Sequence, residues 1–401
     1  MNVVVVGGGL AAANAVAELR SAGSTGDIVL VAGEQHLPYE RPPLSKGLLL
    51  GSAEPDSVFV HPQEWYDEQG IEVRTGTVVT GIDLDRSHVL VGDDELPYDR
   101  LLLATGATPR HLPAADAAAE EGATVLHLRT LDDALALKER LQGRIAIIGA
   151  GWIGLEVASA ARQAGAEVTV LEAAPLPLQR VLGDELATVF ADLHREHGVD
   201  LRLGVSVAGV EHVDGEVVVH VEGSDPVVAD LLVVAVGVTP DDSLAAGAGL
   251  TVDNGIHVDA RLRAIDPHVY AAGDVANHDH PVLGTRVRVE HWDTAIQQGR
   301  HAARVMLGHD EPYTRLPYFF TDQYDLGMEY VGHVGRDGYD DLVVRGDLAG
   351  RNGSVLWLRG DRVLAGMHLN DWDAIGPLRA VVGGEATAAV RDPSVPLADL
   401  G

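Results

Sequence analysis

Val3-Val4-Val5-Val6-Gly7-Gly8-Gly9-Leu10-Ala11-Ala12 stands near the start of the chain, and Ile145-Ala146-Ile147-Ile148-Gly149-Ala150-Gly151-Trp152-Ile153-Gly154 repeats its plan in mid-sequence. Each is a short apolar run, a glycine turn and the opening of a stretch rich in small residues. A second apolar run then ends near an acid: residues 28–31 before Glu34, and residues 168–171 before Glu172. Unbroken β-branched runs bounded by glycine suit parallel strands buried on both faces. The stretches between them, up to Leu19 and over residues 153–163, read as helices. Each segment is a βαβ unit, so the fold class is α/β with two doubly wound dinucleotide-binding domains.

The glycines carry the chemistry. Gly7, Gly9 and Ala12 fit G-x-G-x-x-A, and Gly149, Gly151 and Gly154 complete G-x-G-x-x-G. Glycine is required where the chain turns sharply and where backbone must touch a pyrophosphate, and a small third residue lets helix and strand pack closely. The helix start then offers unpaired N–H groups and a positive dipole end to the phosphates. Glu34 and Glu172 stand where an acid binds a ribose diol. A carboxylate at Glu172 also repels a 2′-phosphate, which favours NADH over NADPH, while the nearby Arg180 is a candidate phosphate contact. Further on, Tyr270-Ala271-Ala272-Gly273-Asp274 ends an apolar run in an acid suited to a polyol chain. FAD has such a chain in its ribityl and a nicotinamide dinucleotide has none, so FAD is assigned to the first loop and NADH to the second.

Composition narrows the class. The chain has 401 residues, no cysteine and a formal net charge of -31, with Lys46 and Lys138 its only lysines. Without cysteine there is no internal dithiol, so a disulfide-reductase mechanism is rejected and electrons must ride on a bound cofactor. Such acidity argues against nucleic-acid or anionic-membrane partners. The sequence runs directly into a strand without signal-peptide features, and a cytoplasmic protein, monomer or weak homodimer, is the expectation. His278 and His280, in Asn277-His278-Asp279-His280-Pro281, lack a further ligand at suitable spacing, and a solvated loop is expected there rather than a metal site.

Two X-Thr-Pro segments, Ala107-Thr108-Pro109 and Val238-Thr239-Pro240, each follow an apolar run and suit chain crossings between domains. From Leu316 the pattern alternates, with runs at residues 317–320, 328–331, 342–344, 355–358 and 363–367 and a helical stretch over 374–382. This predicts a small α+β domain at the C-terminus.

Arg41-Pro42-Pro43-Leu44-Ser45-Lys46, the segment from Ala104-Thr105-Gly106 through Arg110, Leu128-Arg129-Thr130, Ala272-Gly273-Asp274-Val275, Glu290-His291-Trp292, Gln298-Gly299 and the run from Leu316 to Gln323 together resemble one family over essentially the whole chain. It is that of the NADH-dependent ferredoxin reductases serving bacterial haem monooxygenases and Rieske dioxygenases, of the putidaredoxin reductase type. The resemblance implies a glutathione-reductase-like fold with the FAD domain, 1–110 and 236–315, split by an inserted NADH domain, 111–235, and followed by a C-terminal domain, 316–401. It implies FAD contacts from Gly7, Gly9, Ala11, Glu34, Arg41, Lys46, Val79, Thr105, Arg129, Asp274 and Trp292. The wider candidate set of cofactor neighbours adds Ala12, Ala104, Gly106, Arg110, Gly273, Glu290, His291 and Phe320. On the NADH side it comprises Gly149, Gly151, Trp152, Ile153, Gly154, Glu156, Glu172, Arg180 and Gly237.

Family equivalents of Lys46 and Glu156 form an ion pair near the flavin N5, and these two are the candidate catalytic residues. The plain reading of Glu156 is a charge on an exposed helix face, but its place one turn after Gly151 favours the site. Several family members carry Trp where this chain has Phe320, which keeps the ring and loses the indole N–H. The implied reaction takes hydride from NADH and delivers electrons singly to a [2Fe–2S] ferredoxin, with Arg286, Arg288, Arg300, Arg304 and Arg315 as candidate docking cations. A rubredoxin or other small-protein reductase and an NADH-sensing flavoprotein resembling apoptosis-inducing factor share the same plan.

Overall fold

The computed structural model describes residues 1–335 and 337–400. The chain folds as two compact units. The first is Met1–Arg41, Asp56–Thr108 and Thr239–Phe319; the second is Pro42–Pro55, Pro109–Val238 and Phe320–Gly401, of which Arg336 and Gly401 lie outside the described residues.

In the first unit a parallel sheet runs in the order Val269–Ala271, Arg100–Leu103, Val3–Val6, Ile28–Val31, Ile71–Arg74. Val3–Val6 lies at its centre with every residue buried, as a strand covered on both faces requires. The Leu10–Ser21 helix follows and packs against the long Trp292–Met306 helix. Their backbones touch: a Cβ on Gly299 would sit 2.2 Å from the Ala11 carbonyl oxygen. The first loop therefore rests on a helix from the far end of the same unit.

The second unit holds two separate five-stranded sheets. One is parallel, ordered Asp200–Leu203, Glu167–Glu172, Arg144–Ile148, Leu231–Val234, Val125–Leu126. In the other, Tyr318–Gln323 lies at one edge, followed by Leu326–Gly332, Arg362–Leu369, Asn352–Arg359 and Asp341–Asp347, the last four antiparallel neighbours. Alternating burial on its two edge strands, nearly continuous burial on the three between them and the Ile375–Val381 helix against it give the α+β plan. Trp357, fully buried, donates its indole N–H to the Leu182 carbonyl at 3.2 Å and ties this sheet to the 109–238 segment. The two X-Thr-Pro segments are short strands, Ala107–Pro109 and Val238–Pro240, paired with each other.

One expectation is corrected. His278 and His280 are not in a solvated loop but on the Ala276–His280 strand, only 1% and 2% exposed. That strand is flanked by Ile256–Val258 and Thr285–Arg288, and its polar composition hid a buried position. Among the described residues no group of His, Asp or Glu is arranged to hold a metal ion, and no helix is long and apolar enough to cross a membrane.

Buried imidazoles occur in both units. Burial pushes His278 down to about 3 and His194 down to about 4, because the charged form cannot be hydrated there. In the unfolded chain the same groups titrate near 6.5, so the unfolded state binds more protons as pH falls below that value. Their contribution to stability is complete above about pH 6.5 and is lost towards pH 4. Unfolding by urea at pH 5 should accordingly begin at lower denaturant than at pH 7, with a loss of about 2 kcal/mol for each such histidine. Equal midpoints at the two pH values would contradict this.

Candidate functional site

The two glycine loops have the same local geometry. Gly7 has φ +124°, and a Cβ there would lie 2.1 Å from the Ala104 carbonyl oxygen. Gly149 has φ +105°, and its Cβ would lie 2.4 Å from the Ala235 carbonyl oxygen. At both places the turn passes over a neighbouring strand end too closely for a side chain. At the third position of the second loop, a Cβ on Gly154 would meet the Gly149 carbonyl oxygen at 2.1 Å, whereas Ala12 fits its helix fully buried.

Gly9 and Gly151 play a different part. They are extended N-cap residues of the Leu10–Ser21 and Trp152–Gln163 helices, neither helix has a side-chain cap, and nothing lies within 4 Å of a Cβ at either. Open space thus stands over the first-turn N–H groups, which have no acceptor within their own helix. A phosphate group would fit at either helix start, and the residues present fit the dinucleotides assigned to them.

Around the first cradle, Arg41 Nη2 lies 2.8 Å from Glu34 Oε1, and the Tyr39 hydroxyl also donates to Glu34. Burial works against the charge on Arg41, but Tyr39, Glu34 and Asp274 outweigh it and raise its pKa. Glu34, Arg41 and Asp274 are thereby gathered in one place. Thr105 donates its hydroxyl to the Asp241 carbonyl at 2.6 Å, Ala104 supplies the carbonyl against Gly7, and Gly106 turns at φ +77°. Val79 packs on the core, and a Cβ on Gly273 would lie 3.1 Å from that of Ala11. His291 caps the Trp292–Met306 helix and its ring meets Phe319 at 4.6 Å. Burial pushes the Glu40 carboxyl up, and the nearby Trp292 side chain partly offsets this. Glu290 is exposed and pairs with Arg288 at 2.7 Å.

In the second unit Glu172 spends both oxygens on backbone: Oε2 accepts from Ala150 N at 2.7 Å and Oε1 from Ala174 N at 2.8 Å. The acid is so fixed against the glycine loop itself. Arg180 is exposed on the short Gln179–Leu182 helix. Trp152 and Ile153 open the Trp152–Gln163 helix, with Trp152 edge-on to Phe190 and Ile153 42% exposed. Arg110 is tied to the return crossing, donating its backbone N–H to Gly237 O at 2.9 Å and its Nε to Val238 O at 3.1 Å. Arg129 donates its backbone N–H to Asp133.

Glu156 is only 4% exposed, so it is not a charge on an open helix face. Lys46 Nζ lies 2.7 Å from its Oε1, Thr321 donates its hydroxyl to the same oxygen at 2.6 Å, and Ser45 donates to Oε2. The Lys46 ammonium also stands 5.5 Å from the centre of the Phe320 ring, a cation–π contact that needs no indole. Burial, together with Glu156 and Glu329, raises Asp322, and Lys46 opposes this. Ser45 and Thr321 carried no signal of their own in the sequence beyond flanking Lys46 and Phe320.

The arginines expected at a docking surface all have partners inside the first unit. Arg286 holds Asp279, Arg288 holds Glu290, Arg300 bonds Asn14, Arg304 pairs with Glu18, and Arg315 grips Asp293 through two bonds.

The pyridine nucleotide-disulphide oxidoreductase model matches residues 1–299, and a reductase C-terminal model matches residues 318–401. Putidaredoxin reductase of Pseudomonas putida is 40% identical over 91% of this chain and 87% of its own length. The chain belongs to the FAD-dependent NADH:ferredoxin reductase family. A second ferredoxin reductase, the ferredoxin–NAD(+) reductase component of the anthranilate 1,2-dioxygenase system of Burkholderia cepacia, is 39% identical over 97% of this chain and 95% of its own. The reductase in the covalent putidaredoxin reductase–putidaredoxin complex superposes with a TM-score of 0.93 at 38% identity, covering 99% of this chain and 97% of that one. As a ferredoxin reductase the chain has the glutathione-reductase-family α/β fold, and the family uses FAD and NAD(P)H. The absence of cysteine sets it apart from any disulfide chemistry in the family name.

Glu172 gives the cofactor assignment its test. If Glu172 selects the cofactor, Glu172→Ser removes the charge that repels a 2′-phosphate, and the NADPH/NADH ratio of kcat/KM should rise by about tenfold or more, equivalent to about 1.4 kcal/mol. An unchanged ratio in steady-state assays with the two cofactors would remove Glu172 from that role.

Proposed function

We propose that this ferredoxin reductase carries electrons from NADH through FAD to a [2Fe–2S] ferredoxin that supplies a monooxygenase or a Rieske dioxygenase. The observation that carries this is the pair of matching phosphate cradles on one chain, accompanied by a buried Lys46–Glu156 ion pair and no cysteine. The names of the relatives point the same way. Bound FAD supplies the step from a two-electron donor to a one-electron acceptor, which no side chain can perform.

In this reading the residues bind, orient and hold charge. The helix start after Gly9 takes the FAD pyrophosphate, with Glu34 and Asp274 placed for the ribose and the ribityl and Arg41 between them in charge. The helix start after Gly151 takes the NADH pyrophosphate, and Glu172 selects against a 2′-phosphate. The positive end of the Trp292–Met306 helix would favour negative charge on the reduced flavin. The Lys46–Glu156 pair would supply a fixed positive and negative charge to the hydride transfer. The functional division is 1–110 with 236–315 for FAD, 111–235 for NADH, and 316–401 as the C-terminal domain. The protein is cytoplasmic, a monomer or weak homodimer, and engages neither nucleic acid nor membrane, as its acidity favours.

The purified protein should be yellow, with flavin absorbance bleached by NADH under anaerobic conditions. Added with NADH to a panel of [2Fe–2S] ferredoxins and cytochrome c, it should reduce the cytochrome quickly with at least one ferredoxin. Slow turnover with every ferredoxin, with a long-lived charge-transfer band after NADH, would favour a sensing flavoprotein instead; fast turnover with rubredoxin alone would change the acceptor.

A further inference from the structure

Glu156 is one end of a chain of buried polar groups that continues beyond its contacts with Lys46 and Ser45. Thr321 Oγ1, which donates to Glu156, accepts from Gln323 Nε2 at 3.1 Å. Gln323 Oε1 meets His194 Nε2 at 2.8 Å, and His194 Nδ1 meets the Tyr324 hydroxyl at 3.4 Å. Thr321 and Gln323 are each 1% exposed and His194 is fully buried, so water does not substitute for any of these partners. His194 lies on the Asp184–Glu196 helix, the others on or just after the Tyr318–Gln323 strand, all within the second unit.

The donors all point one way. An amide nitrogen only donates, so Gln323 Nε2 fixes the Thr321 hydroxyl as acceptor on that side and leaves its hydrogen for Glu156. The Gln323 carbonyl then faces His194, which must carry its proton on Nε2, and Nδ1 accepts from Tyr324. The opposite arrangement is self-consistent too: a proton on His194 Nδ1, the Gln323 amide turned over, and the Thr321 hydroxyl turned away from Glu156 to donate to Gln323. Only the first gives the carboxylate its third donor, and a hydrogen bond to an ionised acceptor is about twice as strong as a neutral one. The charge on Glu156 therefore selects the direction of the whole chain.

The geometry points to His194 as a positioning residue whose tautomer, passed through Gln323 and Thr321, holds Glu156 as the charged partner of Lys46. Its relevance to the reaction rests on the ferredoxin reductase reading above. The other charged groups facing this network are Asp322, which is raised by burial and by Glu156 and Glu329, Lys46, which opposes them, and Arg162, which acts on Tyr324 against the effect of its burial. His194 itself stays neutral at working pH, since burial lowers it to about 4 against a smaller opposing effect of Gln323, and neighbouring His197 lowers it further. A neutral imidazole has a tautomer to choose, and a protonated one would not.

Two measurements on the FAD-loaded protein test this. Long-range proton–nitrogen spectra of 15N-histidine-labelled wild type at pH 7 should show His194 neutral with the proton on Nε2. The rate of flavin reduction by NADH, followed against pH, should keep its wild-type profile in Thr321→Ser. In the isosteric Thr321→Val its acid limb should move up by about one pH unit, because the carboxylate loses a donor. A proton on Nδ1, a protonated His194 at pH 7, or superposable profiles for Thr321→Val and wild type would each overturn the proposal. Should Thr321→Val not fold, the wild-type tautomer decides by itself. Neither measurement uses a ferredoxin, so a protein that reduced no ferredoxin would refute the proposed function and leave this inference to stand or fall separately.

Discussion

A carboxylate out of reach of water is tolerated only when its lone pairs are filled, and the Glu156 carboxylate has them filled from two stretches of chain far from it in sequence. Ser45 and Lys46 come from the Pro42–Pro55 excursion, Glu156 from the central segment, and Thr321 from the edge strand of the C-terminal sheet. Removing any one would leave a buried charge short of a partner. The second unit is therefore assembled around an acid as much as around its apolar cores. This explains why a short piece of the N-terminal half folds with the later segments.

The two glycine loops solve one steric problem twice and then diverge through what surrounds them. Both bring a left-handed glycine onto a carbonyl of the neighbouring strand and leave the helix start bare. The first is hemmed in by Glu34, Arg41 and Asp274 in mutual contact or attraction, a dense polar setting suited to a ligand held permanently. At the second, Glu172 is bonded back to the loop itself through Ala150, and the arginine beyond it is exposed. That setting is sparser, as an exchanging ligand requires.

The strands and helices were legible because their residues repeat with the period of the structure they form: unbroken valines in a doubly covered sheet, alternation on the edge strands of the C-terminal one. The glycine loops were legible because the backbone at Gly7 and Gly149 admits only glycine. Less visible was anything settled by partners distant in sequence. His194 reads as an ordinary helix residue, and its partner Gln323 ends a strand more than a hundred residues later. His278 and His280 resemble a loop by composition, yet pairing on both sides of their strand buries them. The five arginines have side-chain and backbone partners inside the first unit that are invisible until the chain folds, and Arg300, Arg304 and Arg315 remain exposed. A cation already paired contributes little to a distant partner's attraction.

The buried imidazoles acquire a further meaning beside the acidity of the surface. The isoelectric point is about 4.7, so the repulsion that keeps molecules apart vanishes in the same pH range in which the unfolded chain gains protons that His194 and His278 refuse in the fold. Loss of colloidal protection and loss of stability thus coincide. For this chain, acidification weakens each molecule in the range where neighbours cease to repel.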